Sequence, residues 1–393
     1  MRQVHIITRF IRGGADENTQ ITCNLQAEAG DEVTLIVGGE WEASMRASLH
    51  PAVKFIVVPA LQRTVSPQRD LASTWSIYRH LKKIKPDLVH THTSKAGIVG
   101  RLAAVMAGTK HIVHGVHILP FANVSRTEEI IYTGLERLCG AFTHAFVYVS
   151  ANLRDDCVER RLGRSARHIV APSGMDVDRF ATALPSDDAA TLKASPIAAA
   201  EAPFVLLMAA ALEERKGQLR FLKVLREIID ERPNVVLLLA GDGIERPAIE
   251  AEIDRLGLRA HVRVLGFRKD LERLLALSDV ALVCSRREGL PRVAVQAAIA
   301  GVPIVTTALP GIDTVVTDNE GGYVVPIDDL AAMKAPILKL IDEPPTRARF
   351  QAHLRSQDYT PWTAERMVAT IGEVYRDLQA RSGRGPALQS SAG

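Results

Sequence analysis

The residues that most clearly suggest chemistry lie in one short run, Glu288-Gly289-Leu290-Pro291-Arg292, which follows a predicted buried strand and opens at Val293 into a helical pattern. A carboxylate at the end of a strand accepts hydrogen bonds from hydroxyl groups, and an irregular turn at the start of a helix exposes backbone N–H groups to an anion. The run therefore predicts a site for a molecule that carries both hydroxyl groups and phosphate.

Two other turns place anion-binding groups between a strand and a helix. Gly13 and Gly14 follow the predicted strand Val4–Ile7, and glycine there lets backbone N–H groups approach an anion at the helix N-terminus. Lys216 precedes a predicted helix and can neutralise a phosphate. The alternatives are a plain turn at the two glycines and a solvated charge run around the lysine.

Histidines are frequent in the first half of the chain and gather at two predicted strands. His92, Ser94 and Lys95 follow the first of these strands, and the carboxyl ends of parallel strands are where ligands bind in open α/β sheets. We expect them to project toward a ligand rather than into the core. His114 is expected at the end of the second strand, where its imidazole can donate a hydrogen bond to a ligand.

Two patterns that resemble metal sites are not expected to bind a metal. His111, His114 and His117 are spaced by three, and on a strand that spacing sends neighbouring members to opposite faces. Asp176 and Asp178 form a DxD pattern, but they stand just past the last predicted strand of the first half, before a linker. The sequence therefore predicts chemistry without a resident metal.

The elements that must position these residues alternate along the whole chain. Short β-rich runs and amphipathic helical patterns follow each other, which predicts parallel sheets covered by helices on both faces. We expect two doubly wound α/β domains facing each other across a cleft, at residues 1–180 and 203–358. A linker rich in Ala, Pro, Ser and Asp is expected at 181–202, a final helix at 359–382 and a flexible tail at 383–393.

Composition restricts the class of protein. The 393 residues are 47% hydrophobic and 24% charged, which excludes a disordered chain and a coiled coil. The formal net charge of +3 does not indicate a nucleic-acid partner. Four cysteines without a CxxC pair, the lack of a signal peptide and the lack of a membrane span predict a soluble, cytoplasmic protein.

The charge is unevenly distributed between the two halves. Residues 1–180 carry 22 basic and 17 acidic side chains and 10 of the 12 histidines. The basic segment Arg79–Lys85 leaves open a peripheral contact with the inner face of an anionic membrane, with a solvated helix face as the alternative.

Several of these pieces occur in a fixed order along the chain. They are GGADENT at 13–19, HTHTSKAG at 90–97, His114-Gly115, PSGMDVDRF at 172–180, Lys216-Gly217, LAGDG at 239–243, Gly266-Phe267 and EGLPR at 288–292 followed by AGVPIV. The ordered set resembles the landmarks of retaining glycosyltransferases with the GT-B fold, the large family 4 group. The resemblance implies two Rossmann-like domains, the first for an acceptor and the second for a nucleotide-diphosphate sugar, and a C-terminal helix that crosses back to pack on the first.

The resemblance also implies roles for particular residues. The reaction would be metal-independent transfer of a sugar from a UDP- or GDP-type donor to an acceptor hydroxyl, in polysaccharide, glycolipid or glycosylated natural-product synthesis, with no cofactor. Catalytic roles would fall to His114, Lys216 and Glu288, and acceptor binding to Asn18, His92, Ser94 and Lys95. The donor would contact Gly13, Gly14, Lys216, Phe267, Arg268, Glu288, Gly289, Leu290, Pro291, Arg292, Val293 and Gln296.

Two positions depart from the family pattern. Gln296 stands where the family usually has a second Glu for the ribose hydroxyls, and Ala211 stands where it commonly has an Arg before the phosphate Lys. These departures leave two alternatives open: a non-catalytic sugar-nucleotide binding protein and a GT-B-like sugar-nucleotide epimerase. The missing charge could be supplied by Arg215, Arg220, Arg286 or Arg292. The sequence does not predict an oligomeric state.

Overall fold

The computed structural model describes residues 1–119, 126–193 and 202–383 of the chain. These residues form two compact units, Met1–Gly174 together with the chain from Pro361 onward, and Met175–Thr360. Each unit is built on one parallel β-sheet with helices between successive strands. The two-domain Rossmann-like α/β fold that the sequence predicts is confirmed.

The first unit contains a seven-stranded sheet in the order β3-β2-β1-β4-β5-β6-β7. Its strands are β1 (Arg2–Phe10), β2 (Glu32–Trp41), β3 (Lys54–Val57), β4 (Leu88–His92), β5 (His111–Val116), β6 (Ala145–Tyr148) and β7 (Arg167–Val170). Its connecting helices are α1 (Gly14–Glu28), α2 (Ala43–Ala47), α3 (Pro67–Ile84), α4 (Ser94–Ala107), α5 (Arg126–Gly140) and α6 (Ala151–Glu159).

The second unit contains a six-stranded sheet in the order β10-β9-β8-β11-β12-β13. It begins with the short helices α7 (Val177–Ala181) and α8 (Ala189–Lys193). Its strands are β8 (Phe204–Ala209), β9 (Val235–Ala240), β10 (Val262–Gly266), β11 (Val280–Val283), β12 (Ile304–Thr307) and β13 (Gly322–Val325). The remaining helices are α9 (Gln218–Glu231), α10 (Arg246–Arg255), α11 (Leu271–Ala276), α12 (Arg292–Ile299), α13 (Lys334–Asp342) and α14 (Pro344–Arg355).

The sheets are buried on both faces, which explains why the strands read as continuous apolar runs. Strand β9, with the sequence VVLLLA, is buried along its whole length. On one face, α9 contributes Phe221, Leu225 and Ile228 to the core of the second unit. A side-chain period of 3.6 on the helix against an all-apolar strand is the pattern expected of a parallel sheet between helical layers.

The last helix, α15 (Ala364–Gly383), belongs to the first unit. Its buried side chains Met367, Ile371 and Tyr375 join a core cluster with Leu88 and Val113. Within the described ranges, no helix combines the length and the apolar character that crossing a membrane requires.

The boundary between the units lies at Gly174/Met175 rather than at residue 180. The chain after this boundary belongs to the second unit because α7 packs against α12 there. Part of the expected linker at 181–202 also has regular structure: α8 is helical, and Asp188 accepts a hydrogen bond of 2.8 Å from Arg268. Residues 194–201 of that linker and 384–393 of the expected tail lie outside the described residues.

Candidate functional site

The carboxyl ends of β8 and β11 bring together Lys216 and Glu288, which are far apart in the sequence. The two strands are neighbours in the second sheet, so the turns that follow them meet at one edge. Lys216 ends a short 3₁₀ turn, Glu214–Lys216, that leads into α9, and Glu288 follows β11 in the loop that leads into α12. The Lys216 ammonium forms an ion pair with Glu288 Oε1.

Two further side chains bind the Glu288 carboxylate. Ser285 Oγ donates a hydrogen bond of 2.8 Å to Oε1, and Arg215 Nη1 lies 3.5 Å from Oε2. The Glu288 and Lys216 side chains are only 10% and 15% exposed, so water screens their interaction weakly. The result is a cluster of one carboxylate and two cations at the edge of the sheet, which can bind hydroxyl groups and a polyanion.

The turn at Gly217 allows this cluster to form. Gly217 has a φ of 81°, and a Cβ atom there would lie 2.4 Å from the Cys284 carbonyl oxygen at the end of β11. A side chain at this position would therefore push the Lys216 turn away from the loop that carries Glu288. The backbone adds a second link, since the Arg286 amide donates to the Arg215 carbonyl at 2.8 Å.

The predicted EGLPR turn ends at the first residue of a helix. Pro291 is the N-cap of α12, which begins at Arg292, so the positive end of the helix dipole lies at the same edge of the sheet as Glu288. Leu290 is buried beneath the turn. Gln296 lies on the same helix and is half-buried.

Arg215 is one of the four arginines that could supply the positive charge absent at Ala211, and it contacts Glu288. Ala211 is exposed, and its carbonyl accepts a hydrogen bond of 2.9 Å from Gln218. Arg220 instead donates to the Cys284 carbonyl at 3.4 Å, and burial, together with nearby Arg286, lowers its pKa.

Phe267 and Arg268 follow β10, which is separated from β11 by β9 and β8 in the same sheet. The Phe267 side chain is 51% exposed. Arg268 donates to Asp188 at 2.8 Å and to Asp270 at 2.7 Å. Hydrogen bonding by Arg268 lowers the pKa of Asp188 to about 2. Arg268 thus holds the segment before β8 against the loop after β10.

In the first unit, the Gly13-Gly14 turn leads directly from β1 into α1. Gly13 is the N-cap residue and Gly14 the first helical residue. The structure adds a residue that sequence reasoning missed: Asp16, in the first turn, is 7% exposed, and burial raises its pKa to about 7 against the opposing effect of Arg9. An acidic residue in a first helical turn is ordinary, so the sequence carried no signal of its burial.

The residues expected to bind an acceptor have partners within the first unit. Asn18 is buried, and its amide donates to Ser173 Oγ at 2.7 Å. Lys95 forms an ion pair of 2.6 Å with Asp70 on α3. Ser94 is the first residue of α4 and is half-buried.

His92 and His114 lie in different positions from those expected. Strand β4 includes His92 and β5 continues to Val116, so both imidazoles lie within the sheet rather than beyond its edge. Both side chains are buried, and burial holds their pKa values well below the ordinary value. His114 contacts Thr91, with Nδ1 at 2.9 Å from the hydroxyl oxygen. Both histidines lie within the sheet because each strand extends further than its apolar run, and their roles in binding a ligand stay predictions.

His117 occupies the position that was expected for His114. It follows the last residue of β5 and is half-buried, and its Nε2 lies 3.2 Å from His92 Nδ1. Buried histidines also meet on the neighbouring strands β1 and β4: one nitrogen from each of His5, His90 and His92 lies within 4.8 Å of the others.

Each unit is a parallel α/β sheet with polar residues at its carboxyl edge, the place where such sheets bind ligands. A family model described as "Glycosyl transferase 4-like domain" matches residues 13–192, and one described as "Glycosyl transferases group 1" matches residues 192–357. The chain belongs to the group 1 glycosyltransferases with the GT-B fold, and the protein is a glycosyltransferase.

Individual relatives agree with this assignment. The chain is 29% identical, over 75% of its length and 76% of the relative, to the UDP-Gal:alpha-D-GlcNAc-diphosphoundecaprenol alpha-1,3-galactosyltransferase of Escherichia coli. It is 24% identical, over 97% of its length and 94% of the relative, to the phosphatidyl-myo-inositol mannosyltransferase of Mycolicibacterium smegmatis. The solved structure of Anabaena Alr3699/HepE in complex with UDP and glucose has a similar fold, with a TM-score of 0.80 at 20% identity, covering 96% of this chain and all of the other.

Proposed function

We propose that the protein is a retaining, metal-independent glycosyltransferase that moves a sugar from a nucleotide-diphosphate sugar to an acceptor hydroxyl. The observation that carries the proposal is the cluster of Glu288, Lys216, Arg215 and Ser285 at the carboxyl edge of the second sheet. A diphosphate is bound by cations and helix N-termini, and the hydroxyl groups of a sugar are bound by a hydrogen-bond acceptor. In this cluster the cation of Lys216 and the acceptor Glu288 are in direct contact.

Donor binding would separate the two members of the Lys216–Glu288 ion pair. Lys216 and Arg215 would turn to the diphosphate, and Glu288 would accept hydrogen bonds from the sugar hydroxyls. In the reaction, the bond from the anomeric carbon to the phosphate oxygen breaks and the bond to the acceptor oxygen forms on the same face. The acceptor proton passes to the leaving phosphate, so stabilising the charge of the departing diphosphate is the main catalytic contribution of the protein.

A UDP-type donor is the first choice. The name of the E. coli relative specifies UDP-Gal, and the similar Anabaena structure holds UDP and glucose. Gln296 on α12 would bind the ribose hydroxyls through a side-chain amide that can both donate and accept hydrogen bonds. A GDP-type donor remains the alternative to be distinguished by experiment.

Ligand-dependent stabilisation tests donor binding. A molecule that binds only the folded state raises the melting temperature, so we expect UDP and UDP-sugars to raise it more than GDP and GDP-sugars, in the presence of EDTA. Glu288→Gln should reduce the shift caused by a UDP-sugar much more than the shift caused by UDP, because it removes an acceptor for sugar hydroxyls. Equal shifts by all nucleotides, or a shift that requires a divalent cation, would count against this proposal.

A lipid-linked acceptor at a membrane surface fits the first unit. Helix α3 exposes Leu71 and Trp75 and carries Arg79, Lys82 and Lys83, so one helix combines apolar anchors with positive charge. Exposed apolar side chains also occur along α5, at Ile130, Ile131, Leu135 and Leu138. Large exposed apolar residues next to basic residues are typical of helices that lie in an anionic membrane interface. We infer that these helices dock the protein on such a membrane, where it meets its acceptor.

Vesicle sedimentation tests the membrane contact. The protein should bind vesicles of phosphatidylglycerol and phosphatidylcholine and bind pure phosphatidylcholine less, and salt should weaken the binding. Trp75→Ser should reduce binding, whereas Trp362→Ser, in the short 3₁₀ turn before α15, should leave it unchanged. Binding that does not depend on lipid charge would contradict the proposed contact with an anionic membrane and would not bear on the proposed donor site.

A further inference from the structure

A chain of hydrogen bonds runs through the interior of the first unit to the edge of its sheet. His5 Nε2 lies 2.8 Å from Gln26 Oε1, and His5 Nδ1 lies 3.0 Å from His92 Nε2. His92 Nδ1 lies 3.2 Å from Nε2 of His117, the residue just past β5. Gln26, His5 and His92 are at most 5% exposed, so water does not compete for these bonds.

The backbone is shaped so that the last two rings can meet. His5 and His92 come from the neighbouring parallel strands β1 and β4, and Gly115 lies opposite His92 on β5. A Cβ atom on Gly115 would lie 2.9 Å from His92 Nδ1 and 3.3 Å from His117 Nε2. Only glycine leaves these two nitrogens room to approach each other.

The direction in which these hydrogen bonds donate follows from the Gln26 end of the hydrogen-bonded chain. Burial lowers the pKa of His5 to about 4 and holds that of His92 well below its ordinary value, so both imidazoles are neutral at pH 7 and each has one N–H and one lone pair. The Gln26 carbonyl oxygen can only accept, so His5 must donate from Nε2. His5 Nδ1 then accepts from His92 Nε2, and His92 Nδ1 accepts from His117 Nε2.

We propose that Gln26, His5 and His92 are positioning residues that hold His117 with its proton on Nε2. In the neutral form of His117 the lone pair is then at Nδ1, a buried atom that can accept a hydrogen bond from the hydroxyl of a substrate bound at the carboxyl edge of the first sheet. This role rests on the proposed function, because it requires a hydroxyl-bearing substrate at that edge. No proton is transferred along the chain; the buried residues act by fixing one tautomer and one ring orientation.

A metal ion held by His5, His90 and His92 is the rival interpretation. Their nitrogens are close enough, and His90 Nε2 has no hydrogen-bond partner among the described residues. Besides burial, the groups that lower the pKa values of His90 and His92 are other histidines, with no carboxylate among them. A divalent cation here would be buried without a compensating negative charge, which is costly, so the geometry favours the hydrogen-bonded chain.

The tautomers can be measured without reference to activity. In protein labelled with ¹⁵N in the histidine rings, long-range ¹H–¹⁵N spectra distinguish a protonated from an unprotonated ring nitrogen. At pH 7 we expect Nε2 to be protonated and Nδ1 unprotonated in His5, His92 and His117. A proton on Nδ1 of His5 or His92, or zinc found bound in the cluster of the purified protein, would overturn the proposal.

Replacing Gln26, at the buried end of the hydrogen-bonded chain, tests whether that chain acts on His117. Gln26→Met keeps the volume and removes the acceptor, so His5 loses its fixed tautomer and the effect should pass through His92 to His117. The control is Thr22→Val, a buried isosteric change one turn earlier on the same helix, whose hydroxyl donates to the Asn18 carbonyl. We expect Q26M to perturb the ring-nitrogen signals of His117 and T22V to leave them unchanged.

The same pair of variants separates positioning from general destabilisation. Q26M should lower kcat by about three- to tenfold, the size expected for one neutral hydrogen bond, with the donor KM unchanged. T22V should leave both constants unchanged. If Q26M leaves kcat and the His117 signals unchanged, His92 and His5 are merely core residues and the proposal fails. If no transfer is found with any donor, the proposed function fails, and the spectra still decide the tautomers.

Discussion

The substitution Asp16→Asn is expected to stabilise the protein above pH 7 and to leave its stability near pH 4 almost unchanged. The Asp16 carboxyl is 7% exposed, and burial raises its pKa from 3.8 to about 7. The native state therefore holds this proton more tightly than the unfolded state does. As the pH rises from 3.8 to about 7, the unfolded chain ionises first and stability is lost; above pH 7 the loss is complete.

The size of the effect follows from the shift. At 1.36 kcal/mol per pKa unit, the cost of ionising Asp16 in the folded protein reaches about 4 kcal/mol above pH 7. Asparagine is neutral at every pH and resembles the protonated carboxyl imperfectly, so the expected gain is about 2–4 kcal/mol. For a unit of this size, that corresponds to a rise in Tm of about 5–10 °C.

Calorimetry or urea unfolding of wild type and D16N at pH 4.5 and pH 8.5 measures the difference. Asp155→Asn, an exposed aspartate in the middle of α6, is the control and should change stability by less than about 0.5 kcal/mol at either pH. An equal gain at the two pH values, or none at pH 8.5, would show that the Asp16 carboxyl does not carry a buried charge and would refute the reasoning.

Three further substitutions test the turn at Gly217, the buried ion pair of Glu136 and the role of Gln296. Gly217→Ala should destabilise the protein by about 2–3 kcal/mol in urea unfolding, because a Cβ atom would lie 2.4 Å from a carbonyl oxygen, whereas Gly108→Ala, with a φ of 72° and no atom within 4 Å, should cost about 1 kcal/mol. Glu136→Gln should cost about 3 kcal/mol by the same assay, since it leaves the fully buried guanidinium of Arg101 without its charged partner at 2.6 Å. Gln296→Glu should tighten UDP binding about threefold or more in calorimetric titration, because a carboxylate accepts from two ribose hydroxyls; weaker binding would remove residue 296 from the ribose site.

The fold could be predicted because a parallel sheet leaves a strong local signal. Runs such as VVLLLA, alternating with amphipathic helices, identify strands and helices without knowledge of their partners. The Lys216 and Glu288 turns follow strands that turn out to be neighbours, so the carboxyl edge brought together residues that the sequence assigned to one kind of ligand. Their ion pair depends on the order of strands in the sheet, which the local pattern does not contain.

The histidine positions show where local reasoning fails. His92 and His114 are polar residues at the ends of apolar runs, so His92 was expected just past its strand and His114 at the end of its strand. In the structure both remain in the sheet, because His92 is satisfied by His5 and His117, and His114 by Thr91. These hydrogen bonds between buried side chains depend on the register between strands. In the sequence, a polar residue that has a buried hydrogen-bond partner cannot be told from one that is hydrated by solvent.

Lys216 is expected to stabilise a departing nucleotide diphosphate in the second unit. The most direct measurement is the rate of UDP release from UDP-sugars, in the presence of EDTA and a lipid extract as acceptor source, for wild type, Lys216→Met and Lys334→Met. Lys334 is a suitable control because it is a partly exposed lysine of the same unit that pairs with Glu227 and Glu231. We predict that K334M matches wild type and that K216M releases UDP at least about 100-fold more slowly, a loss of about 3 kcal/mol of transition-state stabilisation, while its Tm changes little. Equal rates for K216M and wild type would contradict the role of Lys216 in stabilising the departing diphosphate.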